Sequence, residues 1–228
     1  MKESDIKKVA CVGGGVIGSS WAIQYAMRGL SVALYDINDE QLLKSRGQME
    51  KSLDALVGHD AIAQTQKAEI VARVHPTTSM EEAVSDAQFI QESGPERLEI
   101  KRSILAQVEQ YAASDALYAS STSGLLISEI VAEAAHPERC VGAHPYNPPH
   151  LIPLVEITRG EKSSDEVVKT VYDFYQSIGK EAVLLRKECP GFIANRLQLA
   201  LYREVQDRHV LRTADVYQTE IEDGVTGY

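Results

Sequence analysis

The chain has 228 residues, a length of about one and a half average domains. Hydrophobic residues make up 44% and charged residues 25%, which supports a packed core and excludes disordered and collagen-like classes. Lys and Arg number 23 against 33 Asp and Glu, a net charge of −10 without a basic run, which excludes the footprint of a nucleic-acid partner.

The first eight residues contain no apolar core, and no apolar run approaches the roughly 18 residues of a membrane span. The expectation is a cytoplasmic protein with no membrane partner. Cys11, Cys140 and Cys189 are odd in number and lack CxxC spacing. They read as small apolar residues in a reducing compartment, with neither disulfides nor a metal site.

Ile6 to Val12 is a short apolar run of β-formers, and beyond the glycines that follow it Val16, Ile17, Trp21, Tyr25 and Met27 recur at helical spacing. Ser31 to Asp36 is a second buried-type strand. Asn38 and Gln41 form a capping box for a helix with Leu42, Met49, Leu53 and Leu56 on its apolar face. A helix over 65–73 and a strand over 74–77 follow. Gln88 to Glu92 is the next strand, Ser93 to Glu96 a capping box, and Arg97 to Ala112 a helix. Ala116 to Ser121 is a strand, Leu125 to Ala135 a helix, and Arg139 to His144 and Leu154 to Thr158 are strands joined by a proline-dense loop. Ser163 with Glu166 caps a helix that ends at Gly179, Val183 to Leu185 is a last strand, and Pro190-Gly191 opens a final helix over 192–206. This alternation predicts an α/β fold, a Rossmann-type, doubly wound, mostly parallel sheet followed by a short all-helical segment. Its ligands bind at the carboxyl ends of the strands. The boundary is expected at 189, giving a dinucleotide-binding domain over 1–188 and a shortened helical module over 189–228.

Gly13-Gly14-Gly15-Val16-Ile17-Gly18 sits between a strand and a helix, the context a GxGxxG turn needs. Gly13 permits the tight turn, Gly15 lets backbone approach a pyrophosphate, and Gly18 allows close helix packing. The helix start at Val16 and Ile17 offers N–H groups to the anion. Asp36 lies 18 residues beyond Gly18, where a carboxylate accepts bonds from an adenosine ribose. No Arg follows it, so the cofactor is expected to be NAD, not NADP.

Three His-Pro pairs occur, and position separates them: His144 ends a strand at the carboxyl edge, whereas His75 and His136 do not. Glu156 lies inside an apolar strand, where a charge needs a partner, and His144 is an obvious one. A carboxylate on one ring nitrogen leaves the other to take a proton from an alcohol; the alternative is a loop His and a solvent-facing Glu. Four of the eight prolines fall within Pro145–Pro153 and stiffen the loop between them. Ser123, in the run Ser120 to Ser123, either bonds a substrate oxygen or caps the next helix. Glu96 is explained by its capping box, and Lys101 by a solvated helix face.

With these residues in place, the sequence resembles the L-3-hydroxyacyl-CoA dehydrogenase family. The resemblance runs through Gly13 to Gly18, Glu92 to Glu96, Ser120 to Ser123, Gly142 to Pro148 with Leu154 to Glu156, and Pro190 to Arg196. It implies that His144 is the catalytic base and Glu156 its orienting partner, that Ser123 bonds the substrate 3-oxygen, and that Asn147 positions substrate. It further implies that Asn195 reaches the cleft and that Glu96 and Lys101 lie near the nicotinamide ribose. The wording His144 to Pro149 is similar to the branch containing carnitine 3-dehydrogenase and L-gulonate 3-dehydrogenase. The implied reaction is NAD-dependent oxidation of an L-3-hydroxyl to a 3-keto group, on an acyl-CoA or a small 3-hydroxy acid. The acidic balance gives no special welcome to polyanionic CoA. A Lys-base dehydrogenase would need a GxxxK-like helix, which is missing; a non-catalytic NAD-binding or structural protein is the other alternative. The family pattern continues into a larger helical domain that makes a homodimer. Here a short polar connection through Asp207-Arg208-His209 leads to Tyr228, so a truncated helical domain is expected.

Overall fold

The computed structural model describes residues 2–206. Among them, eight strands form one sheet: β1 (Lys8–Val12), β2 (Ser31–Tyr35), β3 (Val74–Thr77), β4 (Phe89–Glu92), β5 (Leu117–Ser120), β6 (Cys140–Pro145), β7 (Leu154–Arg159) and β8 (Glu181–Leu185). Their order is β3-β2-β1-β4-β5-β6-β7-β8, parallel throughout except for the antiparallel β6–β7 pair. The helices are α1 (Val16–Met27), α2 (Asp39–Gly58), α3 (Gln64–Ala72), α4 (Met80–Val84), α5 (Leu98–Tyr111), α6 (Ile127–Ile130), α7 (Asp165–Ser177) and α8 (Ala194–Gln206).

The strands are apolar without alternation because both faces of the sheet are covered. Successive residues still point to opposite faces. Val9 and Cys11 pack with Trp21 and Tyr25 of α1, Leu53 of α2 and Val171 of α7, whereas Ala10 and Val12 pack with Ala83 of α4, Leu105 of α5 and Ile127 of α6. The doubly wound reading therefore holds, with α1, α2 and α7 on one face and α4, α5 and α6 on the other. No helix of the described residues is long and apolar enough to cross a membrane.

Three local expectations change. The short α4 was not anticipated; Ser79 caps it by accepting the Glu82 N–H at 3.2 Å. The helix expected over 125–135 shrinks to α6: after Ile130 the chain runs in turns, with the Ala132 N–H on the Glu129 carbonyl and the Ala134 N–H on the Val131 carbonyl, and the Glu109 carboxylate takes the N–H groups of Ala135 and His136 at 2.9 and 2.8 Å. The cap of α7 is Ser164, whose Oγ accepts from Val167 at 3.2 Å; Ser163 instead donates to the Cys140 carbonyl at 2.6 Å.

The chain divides into two units between Pro190 and Gly191. The described part of the second carries α8, with Leu197, Leu199, Leu201 and Tyr202 exposed on it. The connection through Asp207-Arg208-His209 and the stretch to Tyr228 lie outside the described residues.

Candidate active site

Val12, Glu92, Ser120 and Gly142 lie in one row across β1, β4, β5 and β6. The residues after them, 13–18, 93–96, 121–125 and 143–147, therefore emerge along one edge of the sheet. Because β1 stands between β2 and β4, that edge contains the point where the winding reverses and where such folds bind ligands.

Gly13 has φ +99°, and a Cβ there would sit 2.8 Å from the Ser93 carbonyl oxygen; a Cβ on Gly18 would lie 1.7 Å from the Gly13 oxygen. Both close approaches require glycine. A Cβ on Gly15, by contrast, would meet nothing within 4 Å, so the backbone faces open space there. Gly15 is the N-cap of α1 and supplies no side-chain bond, which leaves first-turn N–H groups such as those of Val16 and Ile17 without a side-chain cap. Asp36, just past β2, accepts the Gly14 N–H on Oδ2 and the Ile37 N–H on Oδ1, each at 2.7 Å. A carboxylate oxygen has two lone pairs, so one remains on each oxygen for a pair of vicinal hydroxyls. Asn38 is occupied as the cap of α2, accepting from Gln41 at 2.9 Å, and Ile37 is exposed. Uncapped amides that donate to a pyrophosphate and a carboxylate that accepts from a ribose diol are the groups a dinucleotide needs. Asp36→Ala is expected to weaken NAD binding by about ten- to a hundredfold, the worth of bonds to a charged acceptor, and to relax discrimination against NADP. Titration of both cofactors by fluorescence checks this; an unchanged preference would remove Asp36 from the ribose.

The segment after β4 departs from expectation. Ser93 and Glu96 do not form a capping box, since α5 begins at Leu98 with Arg97 as its N-cap and no side-chain bond. Ser93 Oγ pairs with Ser121 Oγ at 2.9 Å. Glu96 reaches across to the loop after β5, where its Oε1 accepts from Thr122 Oγ1 at 2.7 Å and from the N–H groups of Ser123 and Gly124 at 2.8 and 2.9 Å. Burial opposes its charge, but the Lys101 ammonium and these bonds outweigh it and hold its carboxyl below the ordinary value. Lys101 is not on a solvated face: only 1% exposed, it bonds both oxygens of Glu92 at 2.9 and 3.0 Å and lies 3.4 Å from Glu96. Glu92, fully buried, also accepts the Gly94 N–H at 2.6 Å and the Ser120 hydroxyl. This Glu92–Lys101–Glu96 chain ties two of the edge loops together.

Antiparallel pairing sets His144 of β6 directly opposite Glu156 of β7 on the same face. His144 Nδ1 and Glu156 Oε2 are 3.0 Å apart, with exposures of 7% and 2%. Tyr146 donates its hydroxyl to the same Oε2 at 2.9 Å, its ring centroid 5.0 Å from that of His144. Burial, then the bond to Glu156 and its charge, raise the Tyr146 pKa, so the phenol stays a donor. A carboxylate accepts from Nδ1–H, and the neutral tautomer this selects carries its lone pair on Nε2.

Ser123 is exposed in the loop after β5, and α6 has Leu126 as its N-cap, so Ser123 does not cap that helix. Asn147 is exposed just beyond His144. Asn195 stands on α8, in the second unit. His75 lies exposed on β3 and His136 pairs with Glu138, both apart from this cluster. Tyr146 and Glu92 join the site without a role expected from the sequence. Tyr146 falls two residues from His144, and Glu92 is a carboxylate at the end of an apolar strand, the same cue that singled out Glu156.

Residues 8–189 match the family described as 3-hydroxyacyl-CoA dehydrogenase, NAD binding domain. The L-carnitine dehydrogenase of Streptomyces griseus is 40% identical over 224 residues, covering 97% of this chain and 64% of that protein. The L-carnitine dehydrogenase of Pseudomonas aeruginosa is 41% identical over 222 residues, covering 97% and 67%. The chain thus spans about two thirds of these relatives. Among solved structures, the 3-hydroxybutyryl-CoA dehydrogenase of Escherichia coli K12 superposes with a TM-score of 0.85 at 31% identity, over 92% of this chain and 43% of that one.

Proposed function

The chain belongs to the 3-hydroxyacyl-CoA dehydrogenase family and carries its NAD binding domain, and on that premise we propose that it oxidises the L-3-hydroxyl of a small 3-hydroxy acid, L-carnitine foremost, to the 3-keto product. The observation that supports this best is the buried His144–Glu156 pair on the sheet edge that also carries the glycine turn and Asp36. Bound NAD supplies the acceptor for the hydrogen and electron pair leaving C3. His144 takes the hydroxyl proton at Nε2, and Glu156 holds the ring and balances the imidazolium that forms, as buried carboxylates do for catalytic histidines. Ser123 bonds the 3-oxygen and Asn147 orients the substrate. Glu96 and Lys101 hold the loop carrying Ser123 and lie on the nicotinamide side. The names of the 40%-identical relatives favour L-carnitine over an acyl-CoA.

NADH formation from L-carnitine, L-3-hydroxybutyryl-CoA and L-gulonate tests the reading. The highest kcat/KM is expected on L-carnitine. Best turnover on the CoA thioester would overturn the substrate choice, and silence on all three with NAD still bound would favour a non-catalytic NAD-binding protein.

A further inference from the structure

Lys180, just before β8, is 2% exposed, and among the described residues no carboxylate pairs with it. Its ammonium donates instead to two backbone carbonyls of the loop between β6 and β7, those of Pro149 and, at 2.6 Å, Ile152. Its remaining side lies over the Trp21 ring, 5.3 Å from the centroid. A buried, unpaired ammonium is costly. The cost is visible in its pKa, which burial and then the Arg28 guanidinium push down to about 8.

The loop it grips is wound tightly. Leu151 and Ile152 both donate to the Pro148 carbonyl, at 2.9 and 3.0 Å. Ser20 of α1 accepts the His150 N–H at 3.0 Å and pairs with His150 Nδ1 at 2.7 Å. Pro148, Pro149 and Pro153 contribute no N–H, so the three N–H groups of the turn are all engaged, and the Pro149 and Ile152 carbonyls are held by Lys180. The turn starts at Pro148, directly after Asn147 and four positions from His144.

We propose that Lys180 is a positioning residue of the active site: by clamping the Pro148–Ile152 turn it fixes the rim that begins at Asn147, and so sets affinity for the hydroxy substrate. This rests on the functional reading above, in which Asn147 faces the substrate. Lys180 touches neither reacting atoms nor the glycine turn, so its effect belongs in KM, not in kcat or NAD affinity.

The test is Lys180→Met in the full chain, which keeps length and apolar bulk but removes every donor. Small displacements of positioning groups are expensive, so KM for the preferred hydroxy acid is expected to rise about tenfold with kcat within about threefold of wild type and NADH affinity unchanged. Hydrogen exchange at His150, Leu151 and Ile152 is expected to accelerate by about tenfold, with the strand amides unaffected. Lys180→Gln, which retains a two-hydrogen donor, should fall between the two and serves if the Met variant does not fold. Unchanged exchange in the turn overturns the clamp. Exchange that accelerates across the whole sheet, or a loss in NADH affinity with KM unchanged, reduces Lys180 to general stability and also overturns it. If the wild-type chain turns over no 3-hydroxy acid, the functional reading fails, while exchange in the turn still decides the clamp.

Discussion

His144→Ala is expected to lower kcat by about 10²- to 10⁴-fold, the usual contribution of a general base, while leaving NADH affinity unchanged. The two effects separate because the residues read as holding the dinucleotide, Gly13 to Gly18 and Asp36, lie after β1 and β2, whereas His144 lies near the end of β6 on the far side of β4 and β5. The loss is confined to the proton transfer, so kcat and kcat/KM should fall together, as for a group whose interaction matters only in the transition state. Steady-state rates with the preferred 3-hydroxy acid, beside NADH titration of the same preparation, check this. Turnover close to wild type would remove His144 from the chemistry. A matched loss of NADH binding would mean that the substitution had disturbed the sheet edge instead.

Lys101→Met is expected to destabilise the folded chain by about 3–5 kcal/mol, because removing one partner of a buried pair strands the other charge. Glu92 is fully buried, and its Gly94 and Ser120 donors are neutral, so only Lys101 balances it. For a chain of this size the loss corresponds to a fall in Tm on the order of 10 °C. The double variant Glu92→Gln/Lys101→Met removes both charges and should regain most of the stability, since the amide oxygen still accepts from the Gly94 N–H while its NH2 donates to the Ser120 hydroxyl, which rotates to accept. Denaturant unfolding of the wild type and three variants gives the coupling directly. A loss of under about 1 kcal/mol in the single variant, or a double variant no better than the single, would show that the pair carries no such weight. The substitution also frees Glu96, so the Ser123 loop should loosen together with the loss of stability.

The parts of this architecture readable from sequence are those carried by local periodicity. The apolar strands, the glycine turn between strand and helix, and Asp36 at the end of the second strand each announce themselves within a few residues. The contact between His144 and Glu156 was also readable, because a carboxylate inside Leu154 to Ile157 demands a partner. What failed was competition between a local pattern and a distant partner. Ser93 and Glu96 have capping-box spacing, but Glu96 bonds the Ser123 N–H, 27 residues away. Leu125 to Ala135 has helical composition, yet Glu109, 26 residues from Ala135, captures its end. Lys101 has the spacing of a surface helix charge and is buried because Glu92 and Glu96 meet it from one side. Lys180 gave no cue at all: its acceptors are backbone carbonyls 28 and 31 residues away, and a carbonyl leaves no trace in residue type.

In the proposed reaction His144, oriented by Glu156, removes the proton of a 3-hydroxyl while NAD is reduced. The most direct measurement is the initial rate of NADH formation from L-carnitine at saturating NAD, wild type beside His144→Ala. Steady NADH production is expected from the wild type, with its collapse in the variant, which still binds NADH. No NADH from the wild-type chain with any 3-hydroxy acid, or equal rates from both proteins, would contradict it.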